Sequence, residues 1–195
     1  MGFEFELKYA ATDAAQQAVI RHFGGDFETI TMETTYFDTE NREFAAKHYS
    51  LRRRMENGIS VCNLKIPLGD NARGEWECEE ESITVGAKKL AAMSGNAEIV
   101  ALAEKPLIAT CGAKFTRKAK LVSGEGFTAE IALDAGILLG GNKTEPLCEM
   151  ELELKSGSPD ALTAYAEGVA AQFGLAPEPR SKFARAKALE DSHGI

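Results

Sequence analysis

The sequence has no apolar run long enough to cross a bilayer and no basic-plus-apolar leader before Phe3. It also lacks any Pro, Ser or Gly tract that would mark a linker. Histidine and cysteine are scarce, with three and four residues respectively, and no C-x-x-C spacing occurs. These absences argue against a membrane partner, a zinc knuckle and a redox dithiol. We therefore expect a single cytoplasmic domain over residues 1–195.

Basic residues are outnumbered, since 22 Lys and Arg against 30 Asp and Glu give a formal net charge of −8. A broad surface for nucleic acid or anionic membrane needs a field of unopposed Lys and Arg, so neither partner is expected. Any anionic ligand is instead expected to bind at a local cluster of basic residues. Hydrophobic content of 44% with 27% charged residues is typical of a globular chain that buries a real core.

Residues 2–9 alternate strictly between apolar and charged side chains. This period of two predicts a β-strand with Glu4, Glu6 and Lys8 on one face. Charge on the open face of an antiparallel sheet is ordinary, so this segment alone favours a solvated edge strand. Matching charged faces elsewhere in the chain would favour a ligand site.

A basic hairpin is predicted around Asn57-Gly58, the strongest two-residue turn signal, between residues 51–55 and 59–66. The predicted pairs are Glu56 with Ile59, Arg54 with Val61, Arg52 with Asn63, and Ser50 with Lys65. Arg52, Arg54 and Lys65 therefore share one face, whereas Arg53 points the other way. Like charges on neighbouring strands repel, so this face requires an anion or facing carboxylates.

Eight strands are predicted in total, and helical patterns lie between and after them. The remaining strands cover residues 33–39, 73–82, 114–122, 127–133 and 147–155, and helices cover 14–23, 88–93, 97–105, 159–173 and a segment capped by Ser181. Residues 41–47 are expected to be a connector. Acids again share one side of several strands, namely Glu75, Glu77 and Glu79, then Glu130 and Asp134, then Glu149, Glu151 and Glu153.

Charged faces on so many strands predict an α+β fold in which an eight-stranded antiparallel sheet closes into a β-barrel, a tunnel with a charged lumen and helices packed outside. The expected luminal cations are Lys8, Arg52, Arg54, Lys65 and Arg117. Hard carboxylate oxygens without His or Cys suit Mg²⁺ or Mn²⁺, while Arg and Lys suit phosphate oxygens. Together these groups indicate a site for a metal-chelated polyphosphate.

Several segments carry a family resemblance. They are Glu4-x-Glu6-x-Lys8, Tyr36-Phe37-Asp38-Thr39, Leu51-Arg52-Arg53-Arg54, Leu64-Lys65, residues 130–136, residues 149–154 and Ser181-Lys182. In this order, over nearly the whole chain, they resemble the CYTH family of triphosphate tunnel metalloenzymes. Among its members the sequence is most similar to bacterial inorganic triphosphatases.

The resemblance implies that different luminal side chains bind metal, bind phosphate and take part in catalysis. Metal ligands would be Glu4, Glu6, Glu75, Asp134, Glu151 and Glu153, holding two Mg²⁺ or Mn²⁺ ions. Phosphate contacts would be Lys8, Arg52, Arg54, Lys65, Arg117 and, from one mouth, Lys182. The catalytic set would be Glu4, Glu6, Lys8, Lys65, Glu130 and Asp134, with some acids, Glu75 and Glu77 among them, orienting water or positioning Arg and Lys.

The activity expected from the resemblance is hydrolysis of inorganic tripolyphosphate to diphosphate and phosphate, by a monomer or homodimer acting on a small-molecule triphosphate. Rivals within the family are an adenylyl cyclase of class IV type and a thiamine triphosphatase. All three substrates present the same triphosphate, so only a pocket for a base or a thiazole separates them, and the sequence reveals none. A noncatalytic polyphosphate-binding module is the rival of another class.

Overall fold

The structure, a computed structural model, describes residues 2–69 and 72–191. Its strands are β1 Gly2–Ala10, β2 Glu28–Thr39, β3 Ser50–Glu56, β4 Ile59–Pro67, β5 Ala72–Glu79, β6 Leu107–Gly124, β7 Phe127–Gly140, β8 Lys143–Gly157 and β9 Ala176–Pro177. Its helices are α1 Asp13–Phe23, α2 Glu43–Ala46, α3 Ile83–Ser94, α4 Ala97–Ala103, α5 Pro159–Phe173 and α6 Lys182–Asp191. The expected eight strands are present, and the two-residue β9 is added to them.

The sheet closes on itself. Its strands follow the order β5-β4-β3-β2-β6-β7-β8-β1, and β1 pairs with β5 to complete the ring. The second half of β1 pairs with β8, where Glu6 faces Glu153, and its first half pairs with β5, where Glu4 faces Arg73. All these pairings are antiparallel. The predicted eight-stranded antiparallel barrel is thereby confirmed.

The basic hairpin has the register that the Asn-Gly turn predicts. Arg52 lies opposite Asn63 and Arg54 lies opposite Val61. Asn57 and Gly58 adopt positive φ angles of 49° and 92°, as a tight turn matched to the strand twist requires. Since directly opposed residues share a face, the positions of the luminal cations on β3 and β4 follow from the sequence.

Several elements differ from the predicted boundaries, among them β2, which begins at Glu28, and α3, which begins at Ile83. Residues 41–47, expected to be a connector, contain the short helix α2, because the buried carboxylate of Asp38 accepts hydrogen bonds of 2.9 Å from the amides of Phe44 and Ala45. Strand β6 begins at Leu107 rather than near residue 114, and β7 and β8 run on to Gly140 and Lys143 around a tight turn. Strand propensity alone missed these ends, because they are stabilised by tertiary packing.

The outer face of the barrel is apolar and covered by helices. Val19 of α1 and Leu162 of α5 pack against Ile131 and Leu152, and each such fully buried side chain contributes about 1.5–3 kcal/mol. Helices α3 and α4 cover a second outer face around Trp76. None of the helices in the described ranges is long and apolar enough to cross a membrane.

Helix α6 has a different position, because it packs against side chains of the inner face. Its Ala186 lies in one cluster with Met32, Phe115 and Leu138. Met32 and Phe115 are directly opposed on β2 and β6, on the face that also carries Arg117. Helix α6 therefore fills one part of the lumen and bounds the remaining space.

Gly140 should be sensitive to substitution, since α6 lies directly against it. A Cβ at this position would lie 2.7 Å from the Glu190 nitrogen and 2.8 Å from the Leu189 Cβ, besides contacting the Ala186 carbonyl. Gly140→Ala should therefore lower the free energy of unfolding by about 1–3 kcal/mol, measured by urea denaturation. Gly168→Ala is the control: it faces open space within α5, so stability should rise by about 0.5–1 kcal/mol.

Candidate active site in the barrel lumen

A cavity of about 810 Å³ occupies the lumen, and charged side chains from most strands line it. The sequence-predicted residues that line it are Glu4, Glu6, Lys8, Arg52, Arg54, Lys65, Glu75, Glu77, Arg117, Glu130, Glu151, Glu153 and Lys182. Of the predicted metal, substrate and catalytic residues, Asp134 alone is outside this lining, within the residues that the structure describes. Strand alternation thus brings together side chains that lie far apart in the sequence.

On β1 the inward charges compensate one another. The Lys8 Nζ lies 3.2 Å from Glu6 and 3.6 Å from Glu151. Burial lowers the pKa of Lys8, but these two carboxylates outweigh burial and raise it above its usual range. Burial also raises the pKa of Glu6, yet Lys8, with more distant lysines, holds it below its usual range. Both groups are therefore charged near neutral pH.

Lys65 organises a second group of acids where β4 and β5 meet the start of β1. Its ammonium pairs with Glu4 and lies 3.4 Å from Glu75. The fully buried amide of Asn63 donates a hydrogen bond to Glu75. One carboxylate oxygen of Glu4, Oε2, is buried with no hydrogen-bond partner among the described residues, and burial raises the pKa of this group. A buried acceptor without a partner is a natural position for a cation or water.

The deepest acids, Asp134, Glu149 and Glu151, form a cluster whose oxygens lie within 4.8 Å of one another, close enough to hold a metal ion. The ammonium of Lys182, at the start of α6, lies among them. It is 2.7 Å from Asp134 and 2.8 Å from Glu151, and it also pairs with Glu149. The protein's own cation therefore occupies this cluster.

Two arginines extend the cluster. Arg117 binds Asp134 through two hydrogen bonds of 2.8 and 2.7 Å, a bidentate geometry, and it also contacts Glu151. Arg185 lies 2.7 Å from Glu149. No role was predicted for Arg185, although it follows Lys182 by three positions and so lies on the same side of a helix. With every oxygen of Asp134 taken by Arg117 and Lys182, this residue is placed to orient those two cations.

Gln16 was also missed. It is buried on the apolar side of α1, and its amide nitrogen donates hydrogen bonds of 2.9 and 3.0 Å to the main-chain carbonyls of Asp134 and Glu149. These two residues are opposed on β7 and β8. Gln16 therefore holds the barrel wall from outside at the level of the acidic cluster. The signal available in the sequence was a glutamine on the apolar side of the helix, three residues before Val19.

The acids in this cluster titrate differently. Burial raises the pKa of Glu149 to about 7, despite the nearby Lys182. Burial acts in the same direction on Glu151, but Lys182, Arg117 and Lys8 outweigh it and hold its pKa well below the usual range. Glu151 is therefore ionised near neutral pH, and it lies within contact of all three cations.

The profile of the CYTH domain matches residues 2–186. The chain belongs to the CYTH domain family. One relative, an inorganic triphosphatase of Haemophilus influenzae, is 26% identical over 149 residues, which is 73% of this chain and 41% of the relative. The chain thus spans about two fifths of that protein's length.

Solved structures of the same architecture include a Hippeastrum protein described as an adenylyl cyclase candidate with a dominant triphosphatase activity. It is 19% identical, with a TM-score of 0.65 over 100% of this chain and 97% of that one. A protein of Pyrococcus horikoshii is 21% identical, with a TM-score of 0.63 over 93% of this chain and 97% of that one. At these identities the likeness shows the fold alone.

Arg52 and Arg53 of the CYTH domain have opposite environments, as the strand alternation predicts. Arg53 points away from the lumen and donates a 2.9 Å hydrogen bond to the Glu81 carbonyl. Arg52 lines the cavity, and its buried Nε has no hydrogen-bond partner among the described residues. Within that part of the chain, no carboxylate lies within ion-pair distance of Arg52. Its half-buried guanidinium therefore has at least one unused donor, the Nε.

The luminal acids of the CYTH domain fit a magnesium or manganese ion. They offer only carboxylate oxygens, which hard divalent cations prefer. Glu4, one oxygen of which has no hydrogen-bond partner among the described residues, lines the cavity, and Glu130 and Glu153 lie directly opposite each other on β7 and β8. Magnesium keeps several water or phosphate ligands, so scattered carboxylates suit it.

Glu151→Gln should destabilise the CYTH domain in a pH-dependent way. An acid whose folded pKa is lowered contributes stability above its ordinary pKa of about 4.3 and loses that contribution as the pH falls through the folded value. The variant should therefore lose about 3–5 kcal/mol at about pH 7, because Lys182, Arg117 and Lys8 each lose one buried anionic partner, and less at about pH 3. Urea unfolding followed by circular dichroism at both pH values measures the difference.

Glu153→Gln is the matched control two residues along β8. Glu153 is half-buried and pairs with the more exposed Lys155 at 2.8 Å, so its loss should cost less than about 1 kcal/mol. Equal losses for the two variants, or a loss for Glu151→Gln that does not change with pH, would contradict the assigned pKa shift.

Proposed function

We propose that this CYTH domain hydrolyses inorganic tripolyphosphate to diphosphate and phosphate in its lumen, with Mg²⁺ or Mn²⁺ as cofactor. The observation that carries the proposal is Arg52, a luminal guanidinium that forms no ion pair among the described residues and whose buried Nε has no hydrogen-bond partner there. Burial lowers the pKa of Arg52, but Tyr36 and the glutamates Glu75, Glu4 and Glu77 outweigh burial and raise it, so the guanidinium is charged and has a donor available for a phosphate oxygen. The triphosphatases among the relatives support a phosphoanhydride as the substrate.

The remaining luminal cations bind substrate by exchanging partners. Lys8, Lys65 and Arg54 each form an ion pair with a glutamate of the lumen, namely Glu6, Glu4 and Glu56 respectively. A triphosphate entering the lumen competes for these cations through its phosphate oxygens. The glutamates that are released, Glu4 and Glu6 among them, become free to hold divalent metal. Substrate and metal binding are coupled in this way, because neither alone preserves the pairing of charges.

The metal, when bound, would neutralise phosphate oxygens and lower the pKa of a bound water. In the proposed site Glu4, Glu6, Glu75, Glu151 and Glu153 hold it. The chain's other residues act by position and charge. Arg52, Arg54 and Lys65 hold the triphosphate in line, and Arg117 and Lys182 offset the charge that develops on the leaving diphosphate.

The attacking water would bind beside the carboxylates of Glu130 and Glu153. The two carboxylates are opposed across β7 and β8, and both line the cavity. A carboxylate at hydrogen-bond distance orients a water and accepts its proton as the oxygen–phosphorus bond forms. Glu130 accepts the proton of the water, the bond between the terminal phosphorus and the bridging oxygen of the triphosphate breaks, and diphosphate leaves with that oxygen.

A substrate panel tests the activity. Purified protein with Mg²⁺ or Mn²⁺ is incubated with tripolyphosphate, ATP and thiamine triphosphate, and phosphate and cyclic AMP are measured. We expect phosphate release from tripolyphosphate without cyclic AMP. Cyclic AMP from ATP would favour a cyclase, and binding of tripolyphosphate without any product would favour a noncatalytic module.

Arg52→Gln should lower kcat/KM for tripolyphosphate by about 10²–10³-fold, since it removes one charge that the transition state uses. Arg53→Gln is a closely matched control, because the neighbouring arginine points out of the lumen and contacts the Glu81 carbonyl. Steady-state phosphate release for both variants measures the difference. An Arg52→Gln enzyme as active as Arg53→Gln would contradict the role given to the unpaired guanidinium.

Glu6→Gln should raise the metal concentration needed for half-maximal activity by about tenfold, because one anionic ligand is lost. Activity titrated with Mg²⁺ and with Mn²⁺ provides the measurement. Glu33→Gln serves as control, since Glu33 is 55% exposed and pairs with Lys114 outside the lumen. An unchanged metal titration for Glu6→Gln would contradict its assignment as a ligand.

A further inference from the structure

Asn63 lies at the centre of the luminal face that strands β3, β4 and β5 form. It is directly opposed to Arg52 on β3 and to Glu77 on β5. Its side chain is fully buried, so it lies behind the groups that line the cavity rather than among them. No role was predicted for it. This buried amide therefore separates a luminal arginine from the acids of β5.

The carboxylate of Glu75 fixes the orientation of this amide. The Asn63 Nδ2 donates a hydrogen bond to Glu75. Burial raises the pKa of Glu75, but Lys65, Arg52 and the Asn63 amide outweigh burial and lower it. Glu75 is therefore ionised near neutral pH, and an ionised carboxylate accepts hydrogen bonds but donates none. The amide nitrogen must consequently face Glu75, which leaves the amide oxygen for another partner.

Two buried polar atoms of complementary type lie on neighbouring strands. The Asn63 Oδ1 is an acceptor and the Arg52 Nε is a donor, and neither has a hydrogen-bond partner among the described residues. Their residues are directly opposed on β3 and β4, where the Cβ atoms of such a pair are about 4.5–5.5 Å apart. Buried polar groups without a partner are rare and unfavourable. A donor and an acceptor that are both unused and lie on opposed residues indicate a bond that forms in another state of the site.

We propose that Asn63 is a positioning residue for Arg52, a role that rests on the proposed function: its Oδ1 accepts a hydrogen bond from the Arg52 Nε when a triphosphate binds. The Nε is the guanidinium nitrogen nearest the backbone. A bond from it to Asn63 leaves the two terminal nitrogens directed at the cavity that Arg52 lines. Those two nitrogens then hold a phosphate in the bidentate geometry that a guanidinium favours.

The neutrality of Asn63 is part of this role. An aspartate at this position would pair with Arg52 before a substrate arrived, and a lysine would repel it. Asn63 instead offers the guanidinium an acceptor without neutralising its charge. The same amide holds Glu75, so one uncharged side chain connects a phosphate contact with an acid to which the proposed function gives metal.

A double-mutant cycle tests this role. Asn63→Leu, Arg52→Gln and the double variant are compared with the wild type by calorimetric titration with tripolyphosphate in EDTA, so that no turnover occurs. Asn63→Leu alone should raise Kd about tenfold to a hundredfold, the range for losing a hydrogen bond to a charged group. In the Arg52→Gln background the same substitution should change Kd by less than about threefold, because the guanidinium through which Asn63 acts is gone. Equal weakening in both backgrounds would show a merely structural role and overturn the inference.

Ser60→Ala is the control on the same strand. Its hydroxyl donates a 2.8 Å hydrogen bond to the Glu80 carbonyl, and strand alternation directs it away from the lumen, so Kd should not change. Asn63→Thr is a second variant for the cycle if Asn63→Leu fails to fold, which circular dichroism reports. Its shorter side chain cannot reach Arg52 and Glu75 together, so the same dependence on Arg52 is expected.

The results distinguish this role from the proposed function. Coupling between Asn63 and Arg52 in a protein that binds tripolyphosphate but releases no phosphate with Mg²⁺ or Mn²⁺ would support the positioning role and refute the hydrolase. Additive effects of the two substitutions in an active enzyme would refute the positioning role alone. A wild-type protein that neither binds nor cleaves tripolyphosphate would refute both.

Discussion

The architecture of the lumen depends on one buried ammonium. Lys182 lies among Asp134, Glu149 and Glu151, which strands β7 and β8 bring within 4.8 Å of one another. Three carboxylates at that distance in a nonpolar interior repel strongly unless a cation is present. Because Lys182 is the first residue of α6, the same interaction that balances the acids also holds α6 within the barrel. Charge balance and lumen shape are therefore set by one contact.

The charged faces that recur on many strands predicted the barrel, and the Asn57-Gly58 turn predicted the faces of Arg52 and Arg53. Both signals are local, since period two and turn type fix which side a residue takes. The sequence did not predict that α6 packs inside the barrel or that Arg185 pairs with Glu149. Those contacts join residues 36 positions apart through tertiary packing, and a helical pattern alone does not specify which face of a sheet it covers.

The difference between Asp134 and its neighbours also lies beyond sequence reasoning. Strand parity correctly predicts that Asp134 points inward with Glu130. The position of each residue along the barrel axis, however, determines which side chains it contacts. Glu130 lines the cavity, whereas Asp134 is fully buried between Arg117 and Lys182. Strand parity predicts which face of the sheet a residue lies on. Its position along the barrel axis follows only from the closed sheet and the stagger between its strands.

Because the luminal charges are already paired, the ligands of the proposed function would replace existing ion pairs rather than bind to free charges. Lys8 with Glu6, and Lys65 with Glu4, are satisfied before any ligand arrives. A polyanion alone would take the cations and leave buried carboxylates unpaired, and a divalent metal alone would do the converse. Entering together, they replace each internal pair by two new ones at little electrostatic cost. Arg52, which forms no ion pair among the described residues, is then the contact from which a triphosphate would gain most.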